Sequence, residues 1–171
     1  VDLSDNIVGK INGTDSNAEV IQVMVHMDEL SHIIKRVNED GTLRLEPLGG
    51  ILPANMGQGV VEVMGEKEVI PGVLSFGSMH TTEETTAMNK QLPKMYQGKG
   101  ETPTWEDVYV LTRKDSETLE KMGVRAGTRV VISQSRRQIQ TIEDCWGGYF
   151  MDNRAAITIS LLTLMNMKEQ G

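Results

Sequence analysis

Two short segments carry side chains able to do chemistry together. The first is His26-Met27-Asp28-Glu29, which follows a nearly unbroken apolar run from Val20 to Val25. In extended chain, residues i and i+2 project to the same side. Asp28 can therefore lie beside the His26 ring, fix its tautomer and leave the other ring nitrogen for a metal ion. The end of a strand in an open α/β sheet is also where ligands gather. The plain alternative is a strand-end histidine beside a solvated carboxylate. The second segment, Asp152-Asn153-Arg154, follows Gly147-Gly148-Tyr149-Phe150-Met151 and opens the last apolar stretch. Asp152 is placed either to cap a helix N-terminus or to bridge two cations as a carboxylate ligand. Both readings stay open on spacing alone.

Other reactive types read as ordinary. Glu83-Glu84 sits among polar residues and reads as a solvated loop. His32 alternates with Ile33 on an expected strand and reads as a surface residue. His80, after Gly77-Ser78-Met79, is either structural or near a site. Cys145 lacks a histidine partner in sequence and reads as a small buried residue. Gly49-Gly50 and Gly57-Gln58-Gly59 do not match a phosphate loop and read as turns or bulges.

The elements that must position these residues change texture along the chain. Asn6–Lys10 and Ala18–Val25 are expected to be strands, the second buried on both faces as in an α/β sheet. Short strands between turns follow at His32–Val37, Thr42–Glu46, Val60–Met64, Val69–Ser75, Asp107–Leu111 and Thr128–Ile132. That pattern predicts a small barrel or sandwich. Residues 81–106 are polar, with Gly98, Gly100 and Pro103, and read as a long surface loop. Ser116–Gly123 predicts a short helix capped by Asp115 or Ser116 and ended by Gly123. Asp152–Lys168 predicts a helix apolar on most sides, hence buried between other elements. The expected organisation is α/β over 1–30, a β-module over 31–143 and a return to α/β over 144–171.

Composition limits the function classes. A net charge of −7 argues against a nucleic-acid binder, which needs clustered positive charge. Aromatic residues are only 4% while methionines number 11, so Leu, Val, Ile and Met must fill the core. The single cysteine excludes an intrachain disulfide and a multi-cysteine zinc ribbon, and fits a reducing, cytoplasmic setting. No run approaches the ~18 apolar residues of a membrane span. The sequence begins at Val1, so an upstream segment is expected to have been removed or left out.

In order, Asn6-Ile-Val-Gly9, Val25-His-Met-Asp-Glu29, Leu48-Gly-Gly50, Gly57-Gln-Gly59, Pro71-Gly-Val-Leu74, His80, Met122-Gly-Val-Arg-Ala-Gly127 and Asp152-Asn-Arg154 resemble the co-catalytic metallo-aminopeptidases of peptidase family M-forty-two. That family includes glutamyl, deblocking and tetrahedral aminopeptidases, some labelled endoglucanase or cellulase M. The resemblance runs from about Asn6 to Met167. It implies a catalytic α/β sandwich domain with an inserted β-barrel dimerisation domain, hence a homo-oligomer. It also implies two divalent metal ions, zinc or cobalt, and hydrolysis of N-terminal peptide bonds. By motif match His26 binds one metal, Asp152 bridges both and Asp28 orients His26 as the catalytic aspartate. Glu29 and Arg154 match the motifs in supporting roles.

The sequence departs from the family in places. The family's Glu-Glu pair, a further Asp ligand and a final His ligand follow its Asp-Asn-Arg motif, and the residues after Arg154 contain none of them. Leu30-Ser31-His32 replaces an aliphatic-Gly-Phe, and Ala156 replaces a glycine. Leu111 and Arg113 stand where an Asp and a Gly are common. A non-catalytic oligomerisation module derived from the family is therefore the alternative reading. A carbohydrate hydrolase is a third, and it needs an acid pair flanking a sugar bond.

Overall fold

The computed structural model describes residues 1–77 and 103–169. Their contacts divide the chain into two units, Leu30–Gln140 and Val1–Glu29 with Thr141–Gly171.

The first unit is a closed antiparallel barrel. Its strands are β1 (Ser31–Val37), β2 (Leu43–Leu48), β3 (Gly59–Met64), β4 (Val69–Ser75), β5 (Tyr109–Leu111) and β6 (Arg129–Ile132), joined in the order β1-β2-β5-β4-β3-β6 and back to β1. Closure leaves no open sheet edge. Alternation selects the interior: in β4, Ile70, Gly72 and Leu74 are buried while Val69, Pro71 and Val73 face out. Ile34, Leu43, Leu45, Val61, Val63, Val110, Val130 and Ile132 complete a core of aliphatic side chains.

Turn chemistry sets the barrel's register. Between β1 and β2, the Asp40 carboxylate accepts from the Thr42 N–H at 2.9 Å and from its hydroxyl at 2.7 Å. These bonds hold the Asp40 carboxyl below its ordinary range. Gly41 has φ +78° and approaches the Lys114 carbonyl so closely that a Cβ would lie 1.9 Å from that oxygen. Helix α1 spans Pro53–Met56 and α2 spans Ser116–Lys121. Asp115 caps α2 by accepting from the Thr118 N–H at 2.7 Å, and Gly123 follows with φ +77°. A short 3-10 turn spans Gln134–Arg136.

His32 is a correction. It lies on the interior face with Ile34 and is 1% exposed, because Ile34 fixes the parity of β1. Its ring packs on Trp105 at 4.3 Å between centroids. Neither ring nitrogen has a well-aligned hydrogen-bond partner, the Val130 backbone being the polar group that acts on the ring. Burial pushes its pKa down to about 4.

The second unit holds a two-stranded ribbon, β7 (Gln140–Ile142) with β8 (Cys145–Gly147), and helix α3 (Met151–Glu169). Here the expectations need most revision. Asn6–Lys10 and Ala18–Val25 form no strand, and Val20, Ile21, Val23 and Met24 are exposed rather than buried on both faces. An extended segment acquires ladder bonds only from neighbouring strands, and none pairs with it among the described residues. Thus an α/β sandwich is not formed by the described residues. Helix α3 contains no buried residue, and Ile159, Leu162 and Met165 lie open. Cys145 is exposed, since a two-stranded ribbon has no interior. No described helix is long and apolar enough to cross a membrane. His80, Glu83-Glu84 and most of the expected 81–106 loop lie outside the described residues.

Candidate metal centre

Helix α3 begins with a break. Asp152 (φ −87°, ψ 106°) and Asn153 (φ −122°, ψ 24°) are non-helical, joined by a cis peptide bond. At Asp152 the chain is extended, and its carboxylate makes no capping bond. Instead Asp152 Oδ1 lies 3.3 Å from His26 Nε2. On the ring's other side, Asp28 Oδ1 lies 3.2 Å from His26 Nδ1, and the Asp28 carbonyl oxygen lies 3.3 Å from the same nitrogen. The i, i+2 relation thus does put Asp28 beside the imidazole.

The histidine is flanked by carboxylates at both nitrogens. A neutral imidazole has a single N–H, so it can donate to only one of them. When Nδ1–H donates to Asp28, the Nε2 lone pair faces the Asp152 carboxylate. Two acceptors then face each other at 3.3 Å, an arrangement that a second ring proton or a cation relieves. The spacing suits a cation. Two donors each about 2.0–2.1 Å from one tetrahedral zinc ion lie roughly 3.3 Å apart. His26 Nε2 and Asp152 Oδ1 thus have the spacing of two corners of such a site, and Asp28 stands at the ring's other nitrogen. Among the described residues no group of three or more His, Cys, Asp or Glu side chains could hold a metal ion. The side chains are open to water: His26 is 49% exposed, and Asp28 and Asp152 are each 91% exposed.

One further contact joins the same two segments. The Arg154 guanidinium forms an ion pair with Glu29, whose side chain is only 16% exposed. The sequence reading gave both residues supporting roles but did not pair them. The available signal was charge complementarity: Glu29 stands three residues after His26, and Arg154 two after Asp152.

Comparison with known proteins gives the same family as the sequence resemblance. Residues 5–171 match the family described as M42 glutamyl aminopeptidase, and the chain belongs to that family. The lysyl aminopeptidase of Pyrococcus furiosus is 26% identical over 129 residues, which are 75% of this chain and 33% of that protein. Among solved structures, the TET aminopeptidase from Thaumarchaeota archaeon SCGC AB-539-E09 superposes with a TM-score of 0.63 at 22% identity, covering 86% of this chain and 38% of that one. The dodecamer PhTET1-12s gives a TM-score of 0.58 at 19% identity, covering 83% and 37%. The chain spans about a third of the length of the curated relatives it matches.

Proposed function

We propose that this chain contributes to a metal-dependent aminopeptidase acting on N-terminal peptide bonds, with His26 and Asp152 as metal donors and Asp28 orienting His26. The observation that carries this reading is the 3.3 Å approach of His26 Nε2 to Asp152 Oδ1, with Asp28 on the ring's far side. Family membership makes peptide hydrolysis the matching chemistry. Two divalent ions, zinc or cobalt, would supply an activated water and polarisation of the scissile carbonyl. The chain's own part is to present a histidine lone pair and a carboxylate at metal-ligand spacing. A complete site needs further donors and a general base besides these three residues. A cytoplasmic location fits the single cysteine.

The test is hydrolysis of a panel of aminoacyl-p-nitroanilides before and after chelation. Turnover should vanish on chelation, return with zinc or cobalt, and be lost in Asp152→Asn. Turnover that survives chelation, or an Asp152→Asn variant as active as the parent, overturns the proposal.

The alternative reading, a non-catalytic oligomerisation module, also has a specific observation behind it. The barrel has a closed core of its own, and its outer face carries a run of apolar side chains across three strands. Val60 pairs with Val73, and Val73 pairs with Leu111, all between 38% and 44% exposed. A second copy of the barrel is the proposed occupant of that run, in line with the dodecameric relative. In this reading Val73→Lys lowers the assembly size in sedimentation, whereas His26→Ala leaves assembly unchanged and the parent shows no metal-dependent turnover. Lost turnover in His26→Ala favours the aminopeptidase.

A further inference from the structure

The geometry points to the Glu29–Arg154 ion pair as the positioning element that holds His26 against Asp152. The inference rests on the metal reading of those two residues. Their segments are far apart in sequence, and the side chains that meet are open to water: His26 is half exposed, and Asp28 and Asp152 almost wholly so. Such side chains do not hold a spacing of a few tenths of an ångström by packing. Glu29 is the shielded member of the group. A carboxylate withdrawn from water is stabilised by a paired opposite charge, and the Arg154 guanidinium is one such partner. Arg154 is the first residue after the non-helical pair Asp152 and Asn153. Its carbonyl accepts from the Thr158 hydroxyl at 3.0 Å, so its backbone already belongs to regular helix. The guanidinium fork therefore projects from a fixed turn of α3 onto the segment that carries His26.

The ion pair thus ties the two segments together within three residues of the donor contact. Without Arg154, the ion pair that joins segment 26–29 to α3 is lost, and its hold on the approach of His26 to Asp152 is lost with it. Groups that orient metal ligands typically change metal affinity about 10–100-fold when lost, and a drop of about tenfold is expected here.

The experiment uses the whole chain and two readouts. The first is cobalt(II) titration followed by visible absorption, with Asp152→Ala marking the site. Arg154→Met and Glu29→Gln should each weaken cobalt binding about tenfold, and the double variant should be no weaker than either single. Arg154→Lys should recover part of the loss. The second readout needs no metal: the Cε1 proton resonance of His26 at one fixed pH, assigned with His26→Asn. It should move in Arg154→Met and in Glu29→Gln, and return toward the parent position in Arg154→Lys. Trp105 fluorescence on heating should show the barrel unchanged throughout. If cobalt binds through Asp152 but the variants leave affinity and the His26 resonance unaltered, the clamp is overturned and the metal reading stands. If the parent binds no cobalt while the His26 resonance still moves, the clamp stands and the metal reading fails. Independent, multiplying losses in the double variant also overturn the clamp.

Discussion

His32 makes the barrel sensitive to acid. The ring is 1% exposed, its two nitrogens lack well-aligned partners, and it packs against Trp105. Burial favours the neutral form and pushes its pKa from 6.5 down to about 4. The unfolded chain therefore takes up a proton before the folded chain does. Stability is complete above pH 6.5 and falls as the pH drops toward 4. At about 1.4 kcal/mol per pH unit, the loss reaches about 2 kcal/mol at pH 5 and about 3 kcal/mol once both states are protonated. With a urea slope of about 1–2 kcal/mol/M for a small domain, the midpoint at pH 5 moves by about 1–2 M. The assay is urea unfolding followed by Trp105 fluorescence in a Trp146→Phe background, at pH 7.5 and pH 5. His32→Phe keeps a ring against Trp105 but removes the titration, and His32→Leu serves if phenylalanine overpacks the site. Carboxylates common to all variants cancel in the difference. The parent should lose about 2 kcal/mol more than the variant. Equal losses in parent and variant would refute the reasoning.

Two further perturbations probe the barrel. Gly41→Ala should lower the thermal midpoint sharply or abolish folding, because a positive φ and a Cβ 1.9 Å from the Lys114 carbonyl combine; strain and overpacking together exceed about 2 kcal/mol. Asp115→Ala should lower the urea midpoint by removing the cap on Thr118, while Asp115→Asn keeps most of it. The cap holds the Asp115 carboxyl below its ordinary range, so its stabilisation is present at neutral pH and fades as acid titrates the folded carboxylate. A cap contribution that does not change down to pH 2 would contradict that assignment.

The barrel was legible because its signals are local. Period-two alternation and turn residues mark each strand, and all six expected barrel strands are present with ends shifted by at most about two residues. Asp115 and Gly123 likewise bracket α2 by short-range chemistry. His32 was misread because alternation gives two faces without saying which is inside; Ile34 decides that, and only closure of the barrel makes the choice visible. The apolar run Val20–Val25 was misread for a different reason. An apolar sequence specifies what it can bury, whereas burial needs neighbours, and the described residues provide none around that run. The same holds for α3 and Cys145. The ribbon β7–β8 went unforeseen, since its strands of three residues are too short for periodicity to register. At the candidate site, the short-range relation of His26 to Asp28 could be read from spacing. The approach of Asp152 and the Glu29–Arg154 pair join distant segments, and spacing carries no information on them.

Zinc content is the most direct test of the metal centre. The parent chain, His26→Ala and Asp152→Ala would each be equilibrated with zinc, dialysed and measured by elemental analysis, with barrel unfolding as a control for integrity. Retained zinc in the parent, lost in both variants while the barrel still unfolds normally, is the predicted result. Zinc retained equally by all three chains, or by none of them, would contradict the assignment of His26 and Asp152 as metal donors.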